Sequence, residues 1–340
     1  MKSKIISVFA ILVLFAFGCN KSKDGTPAAP PVVPPIVPVV VTPLTTLPAG
    51  WKVATSFMNN FPQGIQLFSF DSIYNGRKVK AFCLAYDSRN TAFECKPVMS
   101  ATAKTPSAFA SSETGVTYAS INAGYYGGGQ SYSLIKYNNT VSSPNIRVLN
   151  RTYNGASTPY YPTRAAFGFS NTGVPSVAWI YNVGATNNLI YSYPSPSPNL
   201  INTAPQAQPT ETFPTGGLVW DVTTAVGGSP VLIKNNVIRI SDAEELIDIN
   251  NTTQRPRSAI GYMANGLVLI FAIEGDNLPD YAGINLADFA SLIKTFNCAE
   301  AINLDGGGST SLVVNNSLTV RPGDNGVERP VISALLIKKR

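Results

Sequence analysis

The chain has 340 residues, 44% of them hydrophobic and only 13% charged, with a formal net charge of +6. With 10% aromatic residues, that balance excludes a disordered chain or a long coiled coil and predicts a globule of one or two domains. Histidine is absent, which removes Ser-His-Asp and Cys-His catalysis and every His-ligated zinc site.

The opening segment, MKSKIISVFAILVLFAFGC, sets Lys2 and Lys4 before an apolar run from Ile5 to Phe17. That run is too short to cross the roughly 30 Å of a bilayer core, and it suits a signal peptide over residues 1–18. Small residues just before Cys19 resemble a bacterial lipobox. The resemblance implies cleavage before Cys19 and lipidation of its sulfur. The chain would then be an outer-membrane lipoprotein facing the periplasm or the cell surface. An ordinary signal peptide with an incidental cysteine is the competing reading. Residues 19–50 read as a tether, because the stretch from Gly25 to Gly50 holds eight prolines, which oppose helix and central strand alike. Lysines and arginines beyond the leader are scattered rather than striped among aromatics, so no nucleic-acid partner is expected.

Residues 51–340 read as the folded domain. Ile65 to Phe70 alternates in polarity, and Asn75-Gly76 is a hairpin signal leading into a strand from Val79 to Tyr86. Cys83 and Cys95 are equidistant from Arg89, which places them opposite each other if the segment is a hairpin; a disulfide or two buried thiols both fit. The Ser/Pro-rich stretch 192–214 reads as a long loop bordering a site. Residues 242–247 suggest a short helix. The spacing of Leu286, Phe289, Leu292, Ile293 and Phe296 predicts a helix capped by Asn285 with Asp288 at its third position, followed by a buried strand from Ala299 to Leu304.

Two stretches repeat. SLIKYN (133–138) matches VLIKNN (231–236), with glycines before each, and RAAFGF (164–169) matches RSAIGY (257–262). The fold expected is α+β: mixed, mainly antiparallel sheets, with two duplicated β units around a buried helix.

The segment AINLDGGGSTSLVV (301–314) ends a buried strand at Asp305 and then runs through three glycines. Consecutive glycines let a backbone approach a ligand closely and aim N–H groups at an anion, and an acid beside such a cradle is a site pattern. A tight connection with an exposed acid is the structural alternative. No GK[ST] ending follows, so this is not a nucleotide P-loop.

INLDGGGST, preceded by the helix in GINLADFASLIKTFNC, resembles the closing motif of the phosphodiester glycosidases, domains related to the lysosomal uncovering enzyme. SINAGYYGGG, GGSPVLIKNN, RPRSAIGYMANG, FAIEG and ERPVISALLI are similar to further family segments in the same order, so the resemblance covers roughly residues 65–340. It implies hydrolysis of a glycosyl phosphodiester, with a phosphorylated glycan or sugar-phosphate ester as partner. The same fold without the chemistry would be a glycan-binding surface lipoprotein or an envelope scaffold. The sequence departs from the family where Asp276 follows Gly275, since an arginine is common there.

The phosphate leaving group is a weak base, so a site without histidine can work if it holds carboxylates and an anion clamp. Asp305 is expected as nucleophile or base and Glu274 as the second carboxylate. Arg257, Arg329 and Arg164 are expected on the phosphate, joined by backbone N–H groups of Gly307, Gly308 and Ser309, with Asn122 as a polar partner of the substrate. No cofactor or metal is expected, although Glu274, Asp276 and Asp280 gather the oxygens that a Ca²⁺ ion prefers.

Overall fold

The computed structural model describes residues 41–340. The expected leader (1–18), the Cys19 lipidation site and most of the expected tether (19–50) lie outside the described residues. The compact unit starts at Val41, not at residue 51. The Leu44 N–H donates to Gln66 Oε1 at 2.8 Å, and Leu44 and Leu47 pack on the core, so this apolar stretch belongs to the globule despite its prolines.

Three antiparallel sheets of eight, seven and five strands carry the fold. Their inner faces meet in one core that includes Leu67 and Leu84 from the first sheet, Phe167 and Trp179 from the second, and Ile121 and Leu335 from the third. The outer face of the eight-stranded sheet is covered by the predicted helix, α2 (Leu286–Lys294), through Phe289, Leu292 and Ile293. Asn285 caps it, accepting from the Asp288 N–H at 2.8 Å and donating to the Asp288 carboxylate at 2.8 Å. A shorter helix, α1 (Pro106–Ser112), starts at the Thr105 cap with proline in its first turn.

The expected duplication is present, and the structure adds a third copy. A hairpin turns at Asn138–Asn139, another at Asn235–Asn236 and a third at Asn315–Asn316, each asparagine with positive φ. Asparagine tolerates that region, which is why the pair recurs. Each hairpin is preceded by a strand that lies in a different sheet. Strand Thr117–Asn122 sits in the five-stranded sheet and feeds the hairpin of the seven-stranded one. Strand Thr224–Gly227 sits in the seven-stranded sheet and feeds the eight-stranded one. Strand Cys298–Asn303 sits in the eight-stranded sheet and feeds the five-stranded one. The exchange closes in a cycle, which ties all three sheets into one unit.

Two local expectations, the hairpin between Cys83 and Cys95 and the helix at 242–247, are corrected, while of the two alternatives for the cysteines the buried thiols hold. Cys83 and Cys95 are free and buried. Their strands are not a hairpin: Cys83 pairs with Phe68 and Phe271, and Cys95 with Ile337, in different sheets. Residues 242–247 form hydrogen-bonded turns rather than a helix, organised around buried Glu245.

Candidate active site

The three connections out of the crossing strands meet at one end of the sheets. The Asp305 N–H donates to Ala123 O at 3.0 Å, and Asn122 Nδ2 to Asp305 O at 2.6 Å. The Ser229 N–H donates to Asn303 O at 2.8 Å, and the Tyr125 hydroxyl to Ser229 O at 2.5 Å. Backbones approach so closely here that a Cβ at Gly228 would overlap Asn303 O. Asn122 is fully buried; its Oδ1 accepts from the Ser258 hydroxyl and the Ser311 N–H, so it braces the bend from beneath.

Above that brace lies the glycine bend. Asp305 is half-buried, and its carboxylate accepts from the Gly306 N–H at 2.9 Å. Burial pushes its pKa up to about 6, while the Ser309 side chain, the Gly306 N–H and the Arg329 charge act in the other direction. Gly307 has a φ of +57°, and Arg255 Nη2 would lie 3.4 Å from a Cβ there. At Gly308 a Cβ would overlap both Arg329 Nη2 and Asp324 Oδ1. Glycine at 307 therefore serves the positive φ, and glycine at 308 lets the Arg329–Asp324 pair lie against the backbone. The Gly307 N–H is bonded to Pro256 O and the Ser309 N–H to Gly306 O, so these two amides hold the bend rather than project from it.

Both arginines carry a carboxylate. Arg329 is paired with Asp324, Nε to Oδ2 at 2.6 Å and Nη2 to Oδ1 at 2.8 Å. Arg255 Nη2 lies 3.4 Å from Asp276 Oδ2. Burial raises the Asp276 pKa, against the pull of Arg255. The structure thus gathers Asp305, Gly307, Gly308, Ser309, Asn122 and Arg329 at the bend and adds Arg255, Asp276 and Asp324. Arg255 is two residues before Arg257 in RPR, and Asp324 stands in a PGDNG turn five residues before Arg329; the Arg-X-Arg and the acid-to-arginine spacing were the available signals.

Three expected residues face elsewhere. Arg257 is 2% exposed, and its guanidinium donates to the carbonyls of Ile284, Ile249, Asn250 and Thr253. Burial lowers its pKa to about 10. Arg164 is buried and reaches the Leu246 carbonyl at 3.3 Å. Glu274 is buried against Lys80 at 2.9 Å and accepts from the Arg321 N–H at 2.9 Å, tying the bases of two loops together. Among the described residues no group of three or more Cys, Asp or Glu that could hold a metal ion converges, Glu274, Asp276 and Asp280 included.

A 106-residue stretch is 33% identical to the prophage-derived YomE protein of Bacillus subtilis (strain 168), covering 31% of this chain and 16% of that one. Over 69 residues the chain is 38% identical to the human N-acetylglucosamine-1-phosphodiester alpha-N-acetylglucosaminidase, covering 20% and 13% of the two. The matched stretches therefore span a small part of those relatives' lengths. The catalytic domain of the zebrafish enzyme, solved auto-inhibited by its pro-peptide, superimposes with a TM-score of 0.56 at 18% identity, over 85% of this chain and 88% of that one. A hypothetical protein from Synechocystis gives 0.55 at 17%, over 83% and 63%. Residues 117–338, which run from the first crossing strand through the glycine bend to the last strand, match the phosphodiester glycosidase family model, and the chain belongs to that family.

Proposed function

We propose that this chain hydrolyses a glycosyl phosphodiester, adding water at the anomeric carbon and releasing a reducing sugar and a phosphate monoester. The observation that carries the reading is a half-buried carboxyl, Asp305, poised near pH 6 in a glycine bend flanked by Arg255 and Arg329. The substrate phosphate would take the guanidinium faces that Asp276 and Asp324 occupy, exchanging one oxyanion partner for another. Asp305, ionised above its pKa, would serve as base or nucleophile at the anomeric carbon. The leaving phosphate needs little protonation, which suits a site without histidine. Glu274 would hold the Arg321 backbone, and with it the base of the loop that carries Asp324, while Arg257 and Arg164 would anchor neighbouring loops through their carbonyl bonds.

The leader and Cys19 support a place in a bacterial envelope, with the lipid as membrane anchor and a phosphorylated glycan as substrate. Hydrolysis of a sugar-1-phosphodiester in ¹⁸O-water tests the bond that breaks. The reading requires label in the reducing sugar and none in the phosphate monoester. Label in the phosphate would make the chain a phosphodiesterase attacking phosphorus.

A further inference from the structure

At the other end of the sheets lies an open cleft of about 680 Å³. Strand Val331–Lys339 relates the two ends: the Ser333 carbonyl accepts from Ala123 beside the bend, whereas Lys339 pairs with Phe93 in the cleft wall. Six residues of strand at ~3.4 Å each separate them by about 20 Å. The cleft belongs to neither the bend nor its arginines.

Its walls have a consistent chemistry. Tyr137 and Phe169 present half-buried rings, and Asn138, Asn139, Asn171 and Thr172 supply amides and a hydroxyl from two turns. Three charged side chains line the walls: Arg89 is paired with Asp87 at 2.8 Å, Glu94 accepts from the Tyr137 hydroxyl at 3.0 Å, and the exposed Arg340 brings one positive charge against the one negative charge of Glu94, so the walls carry no strong net charge. Aromatic faces with unneutralised amides and hydroxyls match the apolar faces and hydroxyl edges of pyranose rings. The volume falls within the range of small-molecule sites.

The repeat supplies an independent sign. Of the three equivalent asparagine turns, two have a side chain tied to the protein, Asn236 to Lys294 and Asn315 to the Asn59 carbonyl. The third turn lies at the cleft, where the Asn139 N–H is held by Thr223 O at 2.8 Å while its exposed side-chain amide has no protein partner among the described residues. The hydroxyl of Tyr86, 2% exposed in the same wall, has only the weak partner of the Cys95 thiol beside it. Polar groups with spare hydrogen-bonding capacity at a cleft are what a hydroxyl-rich ligand would engage.

We propose that this cleft is a second, non-catalytic site that binds a neutral oligosaccharide. Through it the domain would grip a glycan at a distance from the bond being cut, independently of what the glycine bend does.

Titration calorimetry with N,N′-diacetylchitobiose, cellobiose and maltotriose tests this on the whole protein. At least one sugar should bind saturably to wild type. Tyr137→Ala should weaken that binding about tenfold, and Asn171→Trp, which fills the cleft from an exposed turn, should do the same. Asp305→Asn should leave it unchanged. Should Tyr137→Ala fail to fold, Asn171→Trp carries the test, because it touches no core residue. Absence of saturable binding to all three sugars would overturn the proposal. So would binding that survives Asn171→Trp, or binding that disappears in Asp305→Asn.

Discussion

At the scale of single residues, burial decides what each charge does. Asp305 and Glu245 are both acids whose pKa is raised by burial, yet they do different work. Glu245 is fully buried and accepts from the N–H groups of Ala165 and Val231, the Trp179 indole and the hydroxyls of Ser229 and Ser241. All of its oxygen capacity is filled, so it is a structural knot. Glu245→Ala should cost about 3–5 kcal/mol, read from denaturant unfolding, because it orphans several buried donors at once. Asp305 has fewer partners and keeps part of its surface open. A folded-state pKa near 6, above the ordinary carboxylate value, means that the folded chain holds this proton more tightly than the unfolded chain. The stability it contributes is present below about pH 4 and is lost as pH rises through about 6. Asp305→Asn should therefore equal wild type in stability near pH 4 and exceed it by about 1–3 kcal/mol at pH 8. A melting difference that does not grow across that window would contradict the assigned environment. The arginines differ from one another in the same way. Arg329→Ala should raise KM at least tenfold with the fold intact, because its guanidinium lies half in solvent against the bend. Arg257→Ala should instead lower the melting temperature, since its buried guanidinium ties together the carbonyls of Ile284, Ile249, Asn250 and Thr253.

At the scale of elements, the repeat explains why some structure was legible in the sequence and some was not. The capped helix could be read from Asn285 to Phe296 because its periodicity and cap agree. The two matching hairpins and their RxAxG strands were legible because both copies keep the apolar pattern and the asparagine turn. The third copy, TSLVVNNSL, shares the turn, but its companion strand VISALLI lacks the RxAxG pattern and pairs with the early strand Phe93–Lys104 instead of a strand that follows it. Continuity along the sequence was broken, so the unit was invisible to a local match. Register also misled the cysteines: a symmetric spacing around Arg89 looks like a hairpin, but the chain changes sheet between them. The site was legible at Asp305 and its glycines because that motif is contiguous. Arg255, Asp276 and Asp324 were not, because three separate loops bring them to the bend. If the asparagine turns set the hairpins, Asn316→Val should cost about 1–2 kcal/mol, because a β-branched residue resists a φ of 62°. Chemical denaturation of that variant checks it.

At the scale of the whole molecule, the cyclic exchange of hairpins gives the bend its rigidity. Each sheet is closed by a hairpin donated from another, so the three connecting loops are held at both ends by sheet hydrogen bonds. A carboxyl and two guanidinium groups kept in place by such loops need little rearrangement to meet a charged substrate. Away from the domain, the expected anchor predicts that Cys19→Ala moves the protein from the membrane fraction to the soluble one, checked by fractionation of expressing cells; unchanged membrane association would refute lipidation. The central claim is that Asp305, ionised beside arginine-held phosphate, drives the cleavage. It is tested most directly by the pH dependence of kcat for a sugar-1-phosphodiester, measured on wild type and on Asp305→Asn. The account predicts a wild-type rate that rises through about pH 6 to a plateau, and a variant slower by roughly 10²–10⁴-fold with that limb gone. Equal rates for the two proteins, or a wild-type profile flat from pH 5 to pH 8, would contradict it.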